Sequence, residues 1–135
     1  SYLNSKFIRK NIDHRKWYTL SLGEKNKLSI TRFNFQFNYE KSELLTSYLL
    51  EIIELCKKNN IELIGVKFPL TNEYYNILGD NSFEADLIFE SRNINVFDYK
   101  NIFNDNSTFF NDQDHLNKKG SIEFMKIFSK TIVIK

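Results

Sequence analysis

The run Phe109–Gly120, FFNDQDHLNKKG, holds the residues with most chemistry to offer. Asp112 and His115 stand three apart. In a turn or the first turn of a helix, that spacing puts both side chains on one side, within reach of each other. A carboxylate that accepts from one imidazole nitrogen fixes the tautomer, and the other nitrogen is then a competent base for a hydroxyl nucleophile. Leu116, Phe109 and Phe110 can bury the pair on its inner side. Asn117 is a candidate N-cap, which would set the base just ahead of a rigid helix. The tetrapeptide alone is also compatible with a solvated turn. Asp112, Asp114 and His115 together are a thin ligand set for a metal, and neither a metal nor a cofactor is assigned.

The elements that must position this run are legible from Ser42 onward. Ser42 is a good N-cap, and Leu45, Tyr48, Leu49, Ile52, Ile53 and Cys56 recur at helical spacing. Asn59 and Asn60 can close that helix. Ile61–Phe68, ended by Pro69, reads as a buried and parallel strand. Short helices are expected over Thr71–Leu78, closed by Gly79, and over Phe83–Ser91. Asn95–Tyr99 reads as a second strand, with Asp98 capping its end, and Ser121–Thr131 as a final amphipathic helix. Helices alternating with strands predict an α/β layout with parallel strands. In such a layout function gathers in the loops at the carboxyl ends of the strands, here Pro69–Asn72 and Tyr99–Asn117.

Residues 1–40 are less readable. Arg32–Tyr39, RFNFQFNY, alternates with period two and predicts a half-buried extended segment. His14 lies in a charged stretch and reads as a surface residue. Cys56 falls on an apolar stripe and reads as a small buried thiol. A length of 135 residues argues for one domain over 1–135. The balance of 19 basic against 17 acidic side chains leaves +2, no footprint for nucleic acid or an anionic membrane. The single cysteine excludes an internal disulfide. No apolar run of about 18 residues predicts a transmembrane span, and no leader pattern is expected.

The string F-x-x-D-x-D-H-L-N-x-x-G, preceded by Val96–Tyr99, resembles the C-terminal block of the SGNH (GDSL-type) hydrolases. It is most similar to the branch that includes D-alanyl-lipoteichoic acid transfer and alginate O-acetylation proteins. Leu50–Tyr75 looks like the helix–strand–proline unit that precedes that block, so the resemblance covers roughly 42–132. It implies a three-layer α/β/α, flavodoxin-like fold, with residues 41–135 as its C-terminal part. It also implies serine ester chemistry, with Asp112 as orienting acid and His115 as base, and no cofactor. Thr71, Asn72 and Asn117 become candidates for substrate contact. The family's G-D-S block, its oxyanion-hole glycine and its G-x-N-D asparagine have no match here. Ser21-Leu22-Gly23 is the one Ser-x-Gly, and no strand clearly leads into it.

Two functions follow from these readings. One is an ester hydrolase or O-acyl transferase acting on an acylated carbohydrate or other polymer ester, with this chain supplying Asp and His and the upstream part of a parent protein supplying the serine. The other is a catalytically inactive α/β module that binds a carbohydrate or a protein partner. An envelope-associated or extracytoplasmic location is implied by the resemblance alone.

Overall fold

The structure, a computed structural model, describes residues 15–38, 42–82 and 84–132. A 3-10 turn over Trp17–Thr19 leads into helix α1 (Leu22–Phe37). A reciprocal capping box starts α1. The Ser21 hydroxyl accepts the Glu24 N–H at 3.3 Å, and the Glu24 carboxylate accepts the Ser21 N–H at 2.9 Å. These bonds from Ser21, helped by Arg15 at 2.6 Å, hold the Glu24 carboxyl down to about 2. The cap explains a departure from expectation. Arg32–Phe37 is helical rather than extended, and Tyr39 lies outside the described residues. Phe33 and Phe37 stack as an i,i+4 pair with centroids 4.8 Å apart, while Phe35 is exposed. The phenylalanines therefore do not line one face.

Helix α2 (Glu43–Lys58) begins where expected, with the Ser42 hydroxyl accepting the Leu45 N–H at 3.3 Å. Asn60 takes a left-handed φ of 55°, and the Ile61 N–H closes back onto the Cys56 carbonyl at 2.9 Å. The extended segment that follows pairs only over β1 (Gly65–Lys67), shorter than the expected Ile61–Phe68, because its partner β2 (Val96–Asp98) is equally short. The strands are parallel, with Gly65 opposite Val96 and Lys67 opposite Asp98. Between them lie α3 (Asn72–Leu78), closed by Gly79 at φ +53°, and α4 (Ala85–Glu90). Phe83, expected to open α4, falls outside the described residues. A 3-10 turn over Ser107–Phe109 then precedes α5 (Lys118–Ile132). The architecture is thus mixed helix and strand, with a two-stranded parallel sheet among the described residues.

One aromatic core joins the first turn to the last helix. Trp17, Leu20, Tyr99, Phe103, Phe110 and Phe124 are buried together, with Val66, Leu116 and Phe128 packed against them. Phe124 meets Tyr99 edge-on and stacks on Phe128, at 5.4 and 5.6 Å between centroids. Helix α1 packs instead on α3. Helix α2 buries Ile53 but leaves Leu44, Leu45, Tyr48, Ile52 and Leu55 exposed. Cys56 is half-buried. His14 lies outside the described residues. No described helix is long and apolar enough to cross a membrane.

Candidate functional site

Both strands deliver their carboxyl ends to one edge, and two backbone hydrogen bonds and one from a side-chain hydroxyl knit the connections there. The Leu70 N–H donates to the Lys100 carbonyl at 2.9 Å, joining the segment after β1 to the segment after β2. The Thr71 N–H and hydroxyl both donate to the Gln113 carbonyl, each at 3.1 Å, pinning the loop that carries the Asp-His pair. The loop closes on itself through a bridge between Phe110 and Leu116, with the Asn111 N–H on the His115 carbonyl at 2.8 Å. It ends on α5, where the Asn117 side-chain oxygen accepts the Gly120 N–H at 3.0 Å. Asn117 is therefore the expected N-cap. Its amide nitrogen also donates to the Thr108 carbonyl at 2.7 Å.

Gly120 owes its identity to a close approach. A Cβ there would stand 2.2 Å from the Phe109 carbonyl oxygen. Only glycine lets the first turn of α5 lie this near the loop. The L-N-x-x-G portion of the string is thus accounted for as scaffold: Leu116 in the bridge and core, Asn117 as cap, Gly120 as the contact point.

Asp112 and His115 are brought together as their spacing predicts. Asp112 Oδ1 and Oδ2 lie 2.9 and 3.0 Å from His115 Nδ1. The same Oδ1 accepts the backbone N–H groups of Asp114 at 3.1 Å and His115 at 2.9 Å. An ionised carboxylate can only accept, so a ring proton stands on the Nδ1 side, and in the neutral ring Nε2 is the nitrogen with the lone pair. The pair is open to solvent, with the imidazole 63% exposed and the Asp112 carboxylate 44%. The phenylalanines behind it anchor the loop rather than cover the ring.

Asp114 lies on the inner side of the loop, with its Oδ1 still 3.3 Å from His115 Nδ1. Its side chain is 9% exposed and accepts from Arg32 Nε of α1 and from Gln113 Nε2, both at 2.8 Å. Gln36, one turn after Arg32, turns its amide oxygen to the Arg32 guanidinium at 3.2 Å and its amide nitrogen to the Tyr74 hydroxyl. Burial first, and the Asp114 carboxylate second, push that hydroxyl above its ordinary value, with Arg32 opposing them. Asp112, Asp114 and His115 offer ligand atoms within 4.8 Å of one another. A cation there would share the Asp114 carboxylate with the Arg32 guanidinium already on its Oδ2.

The remaining sequence candidates fall as follows. Thr71 is buried and spends its hydroxyl on Gln113 and, as N-cap of α3, on the Tyr74 N–H. Asn72 is exposed at the start of α3 and accepts from Asn76 at 3.3 Å. Asn117 is engaged on the loop. Ser21 is occupied in the capping box of α1. Asp98 braces the end of β2, accepting the Lys100 N–H at 3.0 Å. Beside the loop lies a cavity of about 380 Å³, walled by Phe37, Val66, Leu78 and Phe89 and reached by Tyr74 and Asp114. Arg32 is the site neighbour that sequence reasoning missed. The signal was present: Ser21-Leu22-Gly23-Glu24 is a capping-box pattern, and it makes Arg32 and Gln36 helical neighbours.

No family model, curated protein or solved structure matches this chain.

Proposed function

We propose that this chain carries the acid and base of an SGNH-type ester hydrolase or O-acyl transferase, within a three-layer α/β/α domain of which it forms the C-terminal part. The observation that carries the reading is the Asp112–His115 pair at 2.9 Å, at the carboxyl edge of a parallel strand pair, with no hydrogen bond to Nε2 among the described residues. The D-x-x-H-L-N-x-x-G string supports it, as does the short two-stranded sheet, which further parallel strands would complete. The exposed apolar face of α2 agrees with such a completion.

In this reading His115 Nε2 takes the proton of a serine hydroxyl as its oxygen adds to the acyl carbon. Collapse of the adduct expels the alcohol, which receives that proton, and leaves an acyl-serine. Water or an acceptor hydroxyl, deprotonated by Nε2, then releases the acyl group. Asp112 holds the ring and stabilises the imidazolium. Among the described residues no serine hydroxyl bonds to His115, and in this reading the upstream part of a parent protein supplies the nucleophile. The same observation favours the second reading, a non-catalytic module binding a carbohydrate or a protein.

The test is release of nitrophenol from p-nitrophenyl acetate. The chain alone should not exceed free imidazole at equal concentration. Joined to the polypeptide encoded upstream of it, it should show a burst and steady turnover, both abolished by His115→Ala. Inertness of the joined protein, or turnover indifferent to His115→Ala, overturns the enzyme reading in favour of the module. A burst from the chain alone, with an acyl adduct on Ser21, overturns the assignment of the nucleophile.

A further inference from the structure

The cavity of about 380 Å³ beside the Asp–His loop lies between α1, α3, α4 and the strand pair. Its walls are apolar, with Phe37 from α1, Val66 from β1, Leu78 from α3 and Phe89 from α4. Gly65 helps to shape it. A Cβ there would stand 2.6 Å from a Phe89 ring carbon, so glycine lets that ring lie against the strand. The polar side chains along the cavity are already answered. The Tyr74 hydroxyl is bonded to the Gln36 amide, Asp114 to Arg32 and Gln113, and Lys67 to Asp86. Lys100 is paired with Asp98 at 3.6 Å. Among the described residues, the buried side-chain polar atoms that lack a partner belong to Trp17, Ser29 and Asn104, none of which lines the cavity. A wall that asks for no hydrogen bond favours an apolar guest. Lys67 ends β1, Lys100 follows β2 and Asp114 belongs to the Asp–His loop, so the cavity reaches the edge where His115 stands.

We propose that this cavity binds an apolar acyl chain of medium length. At the roughly 30 Å³ that a water-sized group fills in a liquid, it has room for on the order of ten heavy atoms. An acetyl group would leave most of it empty, and a sugar ring would bring hydroxyls that find no free partner on the wall. The polar end of the guest, a carboxylate or an ester group, stays in water at the carboxyl edge. That the guest is the acyl part of the ester opened at His115 rests on the reading of that histidine as a base; its binding in the cavity does not.

The experiment titrates the chain with the sodium salts of straight-chain acids from butyrate to dodecanoate, followed by backbone amide NMR shifts. Affinity should rise by up to about fourfold for each methylene buried, then level off near ten carbons, where the cavity is full. The shifts should centre on Val66, Leu78 and Phe89. Leu78→Trp fills the cavity and should move the plateau to shorter chains. Ala85→Trp, at an exposed position on the same wall, should do likewise and answers where the first variant folds poorly. Leu55→Ser, on the exposed face of α2, should leave every affinity unchanged. Absence of octanoate binding at millimolar concentration overturns the proposal. So does an affinity that keeps climbing past the plateau, indifference to both tryptophans, or loss of binding in Leu55→Ser, each of which describes adsorption to an outer apolar surface. The titration needs no nucleophile, so the two readings fail separately. Octanoate binding beside an inert joined protein keeps the cavity and loses the enzyme, and turnover without octanoate binding does the reverse.

Discussion

Alanine in place of glycine inside a helix ordinarily stabilises by about 1 kcal/mol, because glycine loses more backbone freedom on folding. Two helical glycines let that rule be set against packing. At Gly23, in the first turn of α1, nothing stands within 4 Å of the position a Cβ would take, and the residue is exposed. Gly23→Ala should therefore gain about 0.5–1 kcal/mol. At Gly120 the Cβ would lie 2.2 Å from the Phe109 carbonyl oxygen and 2.9 Å from the Phe109 Cβ. Relief requires the helix and the loop to part by about 1 Å, at the overpacking cost of about 1–3 kcal/mol. The Phe109 carbonyl also accepts the Asn117 N–H at 2.8 Å, so parting strains a hydrogen bond worth about 1 kcal/mol. After the helical gain of about 1 kcal/mol is subtracted, Gly120→Ala should lose about 1–3 kcal/mol. Thermal melts followed by circular dichroism should show Gly23→Ala above the parent and Gly120→Ala below it, at about 3–5 °C per kcal/mol for a chain of this size. A Gly120→Ala protein that melts at or above the parent would refute the close approach and, with it, the placing of the loop against α5.

Phe124→Ala should cost about 3–5 kcal/mol, since the ring is buried against Phe68, Tyr99 and Phe128, while His115→Ala should change stability by less than about 1 kcal/mol. Urea midpoints of both variants check this, and equal losses would make His115 a structural residue. The Lys67 ammonium meets the Asp86 carboxylate at 2.5 Å, a bond that raises the lysine above 10.5 and lowers the aspartate below 3.8. The aspartate's share of stability is then present above its ordinary value and lost as pH falls through the lowered one. The lysine's share is present below 10.5 and lost as pH rises through the raised one. Urea midpoints measured against pH should fall more steeply below about pH 4 in the parent than in Asp86→Asn. Identical acid limbs would show that the ion pair contributes nothing.

From Ser42 onward the chain was readable because its signals are local. Ser42, Thr71, Asn117, Asn60 and Gly79 each sit at a helix end, and each does there what its side chain or its φ allows. The Asp112–His115 contact was readable for the same reason, since three residues of turn suffice to make it. Arg32–Phe37 was misread because period two and period 3.6 share residues over so short a run, and the deciding cap lies eleven residues upstream at Ser21. The strand over Ile61–Phe68 was overextended because its length is set by pairing with Val96–Asp98, which no local pattern contains. The Arg32–Asp114 pair was out of reach for a stronger reason: it follows from α1 packing on α3 and from Thr71 holding Gln113, both non-local events.

The energetics of the pair bear on which reading of His115 is worth testing first. An ion pair or hydrogen bond as exposed as Asp112–His115 contributes about 0–1 kcal/mol, too little to hold two side chains in one arrangement unaided. Yet the arrangement is held. Asp112 is fixed by two backbone N–H groups, the loop ends by the Phe110–Leu116 bridge, its middle by Thr71, and its inner carboxylate by Arg32. None of these anchors needs an imidazole at position 115, and the core behind them is complete without it. The loop thus carries more constraint than the stability of His115 calls for, and the surplus falls on the direction of one ring nitrogen. Preorganisation of that kind would suit the base proposed above.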